Sequence, residues 1–228
     1  MDGILLFDKP HAWTSHDAVD FIRRRAGQRA VGHAGTLDPM ATGLLVLLLG
    51  KATKLSASLS GLDKDYLAML TLGIRTDTQD LEGRILETRP ADGVDAARLR
   101  NIFASFLGPQ SQKTPAYSAV KKEGRKLYEW ARQGVSVEAA PRSIVIDALE
   151  LLDFRLPDAS FFLRCSKGTY VRALCDAAGE ALGCGAALSA LRRTRVGGFL
   201  LNDALSEAGV LGLSQAELAK KLLPGPPA

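Results

Sequence analysis

A run of six apolar residues, Leu44 to Leu49, directly follows a glycine-rich turn near the start of the chain. The run contains only Leu and Val, which is typical of a strand buried on both faces. The turn before it, residues 32–43, holds three glycines, an Asp-Pro pair and one carboxylate, that of Asp38. Loops at the ends of buried strands commonly present catalytic or ligand-binding side chains. The sequence therefore predicts a functional Asp38 on a rigid support, with a purely structural Asp-Pro turn as the alternative.

Length and composition are those of an ordinary globular protein, since 46% of the 228 residues are hydrophobic and 24% are charged. The apolar run is far too short to cross a bilayer, which takes about 20 residues, and the N-terminus lacks the basic segment of a signal peptide. Cys165, Cys175 and Cys184 have no metal-ligand spacing. We therefore expect reduced thiols in a cytoplasmic protein, with neither a disulfide nor zinc.

Positive charge is concentrated in three places along the chain. The net charge is only +4, but basic residues cluster at 23–29, 121–126 and 192–195. The first cluster closes a predicted helix, where cations favour the negative end of the helix dipole, so part of it has a structural explanation. Three clusters on one face would form a track for a phosphate backbone. The sequence does not show whether they share a face.

Hydrophobic spacing and capping residues predict an α+β fold with a mainly antiparallel or mixed sheet flanked by helices and loops. We expect one domain over residues 1–205 and a short helical extension with a tail over 206–228. Residues 110–126 are expected to be irregular. The predicted strands are 4–7, 44–49, 66–72, 144–152 and 160–165. The predicted helices begin at Thr14 or Ser15, Asp95, Leu127, Thr169 and Ser214, the last with a capping box formed with Glu217.

Three distant residues have complementary chemistry. Asp38 offers a carboxylate, Tyr66 an aromatic hydroxyl at the start of a strand, and Arg172 a guanidinium where a strand turns into a helix. An adjacent arginine would keep a partly buried Asp38 ionised, and so available as a nucleophile at neutral pH. Each also has a structural alternative, because Tyr66 could be an ordinary strand aromatic and Arg172 an ordinary surface charge.

The sequence around these residues resembles the TruB family of tRNA pseudouridine synthases. The resemblance is carried by an ordered series of motifs over about residues 3–200. A single motif would be weak evidence, whereas the ordered series is specific. The motifs are Asp8-Lys9-Pro10, residues 14–17, the Asp38 turn at 32–43, Lys64-Asp65-Tyr66, and residues 73–78, 115–121, 127–134, 167–172 and 191–194.

This resemblance implies the pseudouridine synthase fold and isomerisation of uridine 55 in the T-loop of tRNA, with the target base flipped into a pocket. It implies Asp38 as nucleophile, Tyr66 as the ring stacked on uracil, and Arg172 as the partner of Asp38. It implies substrate binding by His33, Lys9, Lys64, Leu191, Tyr170 and Gly35, with Leu191 at the pocket floor, His33 displacing the base, and the lysines and basic clusters contacting phosphates. We expect no cofactor and no metal. The expected partner is the tRNA T-arm, bound by a monomer without an obligate protein partner or a membrane.

Two departures from the family pattern concern loops. Ala12-Trp13 stands where the family usually has glycine, and Thr114-Pro115-Ala116 replaces the usual Pro-Pro. Too few residues follow Leu201 for the PUA domain that many members carry, so we expect a short bacterial type with weaker, more salt-sensitive tRNA binding. Two alternatives remain: a non-catalytic RNA-binding or tRNA-folding protein on the same scaffold, and a guide-RNA-directed synthase subunit.

Overall fold

The computed structural model describes residues 1–224 apart from 119, 123, 132, 136 and 138, and at 121 and 126 it describes the backbone alone. Ala119 and Arg132, in two of the motifs above, lie outside the described residues.

The chain divides into two compact units, Met1–Leu67 with Leu191–Ala228, and Ala68–Ala190. The strands are β1 (Gly3–Lys9), β2 (Val31–Ala34), β3 (Thr42–Leu49), β4 (Lys64–Leu72), β5 (Ile74–Thr76), β6 (Ile85–Thr88), β7 (Gly108–Gln112), β8 (Lys121–Lys122), β9 (Arg125–Lys126), β10 (Arg142–Arg155), β11 (Asp158–Cys165), β12 (Ala186–Val196) and β13 (Phe199–Leu200). The helices are α1 (Ser15–Ala26), α2 (Ser56–Ser60), α3 (Ala96–Ser105), α4 (Leu127–Ala131), α5 (Val171–Leu182), α6 (Glu207–Leu211) and α7 (Gln215–Lys220), with 3₁₀ turns at Gly50–Leu55 and Leu201–Asp203.

In the first unit, the apolar run forms β3 at the centre of a sheet. Seven of the eight residues of β3 are buried, as both faces are covered. β1 and β2 each pair antiparallel with β3, whereas β12 pairs parallel to it at Arg192↔Thr42 and Arg193↔Gly43. The sheet is therefore mixed, and the parallel pairing lies at the start of β3, directly after the Asp38 turn.

Helix α1 has well-formed ends that the sequence predicts. Thr14 caps it, since the Thr14 side chain accepts from the Asp17 backbone and the Asp17 carboxylate accepts from the Thr14 backbone. Gly27 ends the helix in the left-handed conformation at φ 63°, which glycine adopts without steric cost. The buried face of α1 carries Val19, Phe21 and Ile22. The helix thus covers the core of the first unit and presents its polar face to solvent.

In the second unit, β10 and β11 form a long antiparallel pair, and β7 pairs antiparallel with the other edge of β10. Helix α3 begins at the Asp95 cap and packs Phe103 edge-to-face on Phe161 of β11, with ring centroids 5.3 Å apart. Helix α5 buries the face carrying Val171, Leu174, Cys175, Ala178 and Leu182, as the spacing predicts. Helices therefore cover the apolar side of this sheet as well.

The predicted α+β class with a mixed sheet flanked by helices is confirmed, as are the Asp95 cap and the Ser214–Glu217 capping box. The expectation that residues 110–126 are irregular is wrong at both ends, because β7 extends to Gln112 through backbone pairing with β10, and β8 pairs antiparallel with β9. Helix α5 begins at Val171 and not at Thr169, whose hydroxyl donates to the carbonyl of Ser166. All three cysteines lie in the described part of the chain, where they are buried and form no disulfide. None of the helices in the described part of the chain is long and apolar enough to span a membrane.

Candidate active site

Asp38 lies half-buried in the loop between β2 and β3. Other parts of the first unit hold this loop through its backbone. The hydroxyl of Ser15 donates to the carbonyl of Leu37 at 3.0 Å and accepts from its amide at 2.8 Å. The carbonyl of Pro39 accepts from the amide of Ala12 at 3.0 Å. Residues on both sides of Asp38 are thus fixed, as catalysis by a positioned carboxylate requires.

Lys9 is fully buried at the end of β1. Its ammonium group donates to the carbonyl oxygens of Pro10 at 2.8 Å, Trp13 at 2.6 Å and Pro39 at 3.3 Å. A buried cation is tolerated when its donors are satisfied in this way. These contacts tie the Asp38 loop to the N-terminal turn, and they direct the charge away from solvent and from any phosphate on the surface.

Arg193 on β12 is the largest fully buried side chain of the protein's described core, with 1% of its surface exposed. Its Nε donates to the carbonyl of Leu44 at 2.7 Å, its Nη1 to Thr36 at 3.2 Å and its Nη2 to Gly35 at 3.1 Å. These three carbonyls flank Asp38 in sequence. One guanidinium therefore joins the segment before Asp38 to the strand that follows it.

The same guanidinium lies beside Tyr66 and Asp38. Tyr66, which lies on β4 and is 7% exposed, and Asp38 are both close enough to Arg193 to interact with its charge. Burial lowers the pKa of Arg193, while the adjacent Tyr66 and Asp38 oppose that decrease. Arginine remains charged at neutral pH even so. The first unit thus gathers a carboxylate, a phenol and a buried cation around one loop.

His33 on β2 has an unusual environment for a histidine. Burial, followed by the charges of Arg193 and His16, lowers its pKa from the ordinary 6.5. Its Nδ1 is buried and has no hydrogen-bond partner among the described residues. The lowered pKa keeps the ring mainly neutral at pH 7.

Two further predicted site residues lie in the first unit. Leu191 is 8% exposed on β12, and its carbonyl accepts from the hydroxyl of Thr42 at 3.5 Å. Lys64 is 6% exposed, and its ammonium donates to the carbonyls of Ser60 at 2.7 Å and Leu62 at 2.6 Å. Like Lys9, Lys64 fixes a turn from inside, so its geometry fits an anchor better than a phosphate ligand.

Arg172 lies in the first turn of α5, in the second unit, and is 5% exposed. Its guanidinium donates to the carbonyls of Thr78 at 2.7 Å and Tyr117 at 2.9 Å, and its Nε lies 3.6 Å from the carboxylate of Asp80. Asp80, itself buried, also accepts from the hydroxyl of Thr78 at 2.6 Å. Arg172 is therefore part of an internal charged network, which contradicts the surface-charge alternative. Its pairing with Asp38 stays a prediction.

Tyr170 immediately precedes α5. The side chain of Gln112 binds its backbone twice, accepting from the amide at 2.8 Å and donating to the carbonyl at 3.0 Å. The guanidinium of Arg142 lies 5.9 Å from the Tyr170 ring centroid. The ring is partly exposed next to a cation. The backbone of Tyr170 is thus fixed while its ring stays accessible.

The three basic clusters differ in how free their charges are. In the third cluster, Arg193 is buried, Arg195 pairs with Asp65 at 2.6 Å, and Arg192 pairs with Asp8 at 2.7 Å. In the first, Arg23 pairs with Asp20 at 2.8 Å and donates to two carbonyls. Much of the basic charge therefore stabilises the fold, and a shared phosphate-binding face stays a prediction.

Sequence reasoning identified the Asp38 loop and Tyr66 but missed the role of Arg193, which it treated as one cation in a surface cluster. The available signal was its position two residues after Leu191, since alternation along a strand places residues i and i+2 on the same face. The prediction that Leu191 lines a pocket therefore implies that the Arg193 side chain points to the same face of β12.

Comparisons with known proteins identify the family to which the sequence is similar. Residues 23–171 match the family described as TruB family pseudouridylate synthase (N terminal domain). Residues 172–224 match the tRNA pseudouridylate synthase B C-terminal domain. A tRNA pseudouridine synthase B of Opitutus terrae is 49% identical over 224 residues, covering 98% of this chain and 93% of that relative. A second tRNA pseudouridine synthase B, of Syntrophus aciditrophicus, is 47% identical to this chain. The match covers 98% of this chain and 72% of that relative.

A solved structure is also similar. It is described as an H/ACA RNP bound to a substrate RNA containing 2′-deoxyuridine, and it matches with a TM-score of 0.67 and 27% sequence identity. The match covers 90% of this chain and 50% of the other. This chain therefore spans about half the length of that solved chain, and the two have a similar fold over the matched region.

Proposed function

The chain belongs to the TruB family of pseudouridine synthases, and we propose that it isomerises uridine 55 in the T-loop of tRNA to pseudouridine. The observation that carries the proposal is the half-buried Asp38 on a loop pinned at both ends, beside Tyr66 and a buried guanidinium. The 49% identity to a tRNA pseudouridine synthase B over 98% of the chain supports the same reaction.

The reaction breaks the N1–C1′ bond of uridine, turns the uracil and joins C5 to C1′, so that C5 loses a proton and N1 gains one. A stacked base cannot turn, so the nucleotide has to be flipped out first. Asp38 acts as the nucleophile, and Tyr66 stacks on the uracil and takes the C5 proton. No oxidant or reductant is consumed, because the product is an isomer of the substrate.

The other predicted residues support these two. Arg172 pairs with Asp38 and keeps it ionised, since an adjacent guanidinium favours a charged carboxylate. Leu191 forms the apolar floor under the base, His33 helps to displace the base, and Gly35 gives the RNA room to approach the loop backbone.

Binding of tRNA completes the proposal. Tyr170 offers a fixed, partly exposed ring for stacking on an RNA base. Because the ammonium groups of Lys9 and Lys64 are buried, we propose that these lysines hold the loops and do not bind phosphate. We take the protein to work in the cytoplasm as a monomer, on tRNA alone and without an obligate protein partner.

The test is release of tritium from the C5 position of labelled tRNA by the purified chain alone. Wild-type protein should release tritium in proportion to pseudouridine formed, whereas Asp38→Asn should be inactive while binding tRNA. A matched control is Asp147→Asn, which makes the same substitution at an exposed position of β10 and should behave as wild type.

The alternatives give different results. Activity of Asp38→Asn would refute the assigned nucleophile. Binding of tRNA without tritium release by the wild type would favour a tRNA-folding protein, and release that requires an added guide RNA would favour a guided subunit.

A further inference from the structure

The guanidinium of Arg193 is held in one fixed orientation. Each of its three nitrogens donates to a different backbone carbonyl, those of Leu44, Thr36 and Gly35, and Tyr66 lies beside the guanidinium. The guanidinium is planar and its donors diverge at fixed angles. Four partners around one rigid group therefore fix one another's positions.

We propose that Arg193 is a positioning residue of the reaction, which holds the Asp38 loop and Tyr66 in register with each other. The inference rests on the proposed function, because it assigns how the two reacting side chains are kept in place. Arg193 itself does not touch the substrate. It acts through the backbone on either side of Asp38 and through the phenol of Tyr66.

The location of the contacts supports positioning over stability alone. A buried arginine is costly unless its donors are all paired, and an apolar side chain fills a core at lower cost. Two of its carbonyl partners, Gly35 and Thr36, lie in the loop three and two residues before Asp38, and the third is on β3. A charge placed here stiffens the one loop whose geometry the chemistry uses.

The contact with Tyr66 adds a second effect. Arginine has only donors, so Arg193 can donate to the neighbouring phenolic oxygen of Tyr66 but cannot accept the phenol's proton. A guanidinium beside this oxygen stabilises negative charge on it. This arrangement suits the proton-accepting role proposed for Tyr66 and prevents its ring from rotating away from the stacked base.

The experiment measures single-turnover pseudouridine formation and tRNA affinity separately, for wild type, Arg193→Lys and Arg193→Gln. We expect the rate to fall about 100-fold in both variants, the cost of a small misplacement of reacting groups, with the tRNA dissociation constant unchanged. Arg98→Lys is the matched control, since Arg98 also donates to backbone carbonyls, those of Gly93 and Leu182, but belongs to α3. It should keep the wild-type rate.

A double-mutant cycle tests whether Arg193 acts through Tyr66. The losses of Arg193→Lys and Tyr66→Phe should be far from additive, because the two side chains are neighbours that interact directly. Wild-type rates in folded Arg193→Lys, or a loss of affinity equal to the loss of rate, would overturn the inference. So would failure of both Arg193 variants to fold, which would assign Arg193 to stability. An inactive wild type would instead refute the proposed function itself.

Discussion

Replacing Gly43 by alanine should disrupt the contact between β3 and β12 at the base of the site. Gly43 is the second residue of β3, has φ +99° and pairs with Arg193 in the parallel ladder. A Cβ at this position would overlap the carbonyl oxygen of Arg193 and lie 2.8 Å from its backbone nitrogen. Backbone atoms of a paired strand cannot rotate aside, so the strands themselves have to separate.

The magnitude follows from two separate costs. A side chain at this positive φ costs about 1–2 kcal/mol, and forcing extra volume against packed atoms costs about 1–3 kcal/mol more. Gly43→Ala should therefore lower the free energy of unfolding by about 2–5 kcal/mol. Gly183→Ala isolates the first cost, because Gly183 has φ +83° but no described heavy atom within 4 Å of an added Cβ. It should lose only about 1–2 kcal/mol.

Urea unfolding followed by circular dichroism measures both variants against wild type. The informative quantity is the difference between them, which removes the shared cost of positive φ. Equal losses for Gly43→Ala and Gly183→Ala would refute the close approach of β3 and β12. Folded Gly43→Ala should also form pseudouridine more slowly than folded Gly183→Ala, since only the first displaces the backbone of Arg193.

Three further predictions concern single groups. Because burial lowers the pKa of His33, the unfolded chain takes up a proton at a higher pH than the folded protein does. The free energy of unfolding should therefore fall as the pH drops below about 6.5. In His33→Gln, the urea midpoints measured above and below that pH should differ less than in wild type. Asp65→Asn should cost about 2–3 kcal/mol by losing the 2.6 Å pair with Arg195, whereas Asp153→Asn, in an exposed pair, should cost under about 1 kcal/mol. A thiol reagent should leave the three cysteines unmodified in folded protein, since all are buried and burial strongly raises the pKa of Cys175; rapid labelling would contradict their burial.

Local signals in the sequence predict the elements whose causes are local. The capping box of α1, the Asp95 cap of α3 and the buried run of β3 each depend on residues within one or two turns of the chain. Physical rules for caps and hydrophobic spacing therefore suffice for them. The Asp38 loop belongs to this class, because its glycines and its following strand are adjacent in sequence.

Elements formed by distant partners escape such rules. β7 consists of Gly-Pro-Gln-Ser-Gln and has no apolar alternation, and its strand geometry comes from backbone pairing with β10, more than thirty residues away. β12 contains three arginines, which a sequence pattern assigns to the surface. Alternation with Leu191 indicates which face of β12 carries Arg193, but only the carbonyls of β3 and the Asp38 loop explain why a charged side chain is buried there.

Charge is where sequence and structure differ most for this site. Lys9, Lys64 and Arg193 are cations that sequence reasoning assigned to phosphate, yet each is 6% exposed or less and donates to carbonyls of turns in the first unit. The Asp38 loop buries the side chains of Leu37, Met40 and Ala41, and Lys9 and Arg193 add hydrogen bonds to its carbonyls. These buried cations stiffen the loop beyond what its apolar packing provides.

Gly43 and Arg193 belong to one arrangement, although 150 residues separate them in the sequence. The missing side chain at Gly43 lets β12 approach β3 closely enough for parallel pairing. That approach in turn places the guanidinium within 2.7 Å of the Leu44 carbonyl and within reach of the loop before Asp38. Gly43 sets the distance between the strands, and Arg193 depends on that distance for its hydrogen bonds. Replacing either residue alone should therefore disturb the contacts of the other. The rigidity of the Asp38 loop is therefore a property of the strand pair, and changes to either strand should reach the chemistry through it.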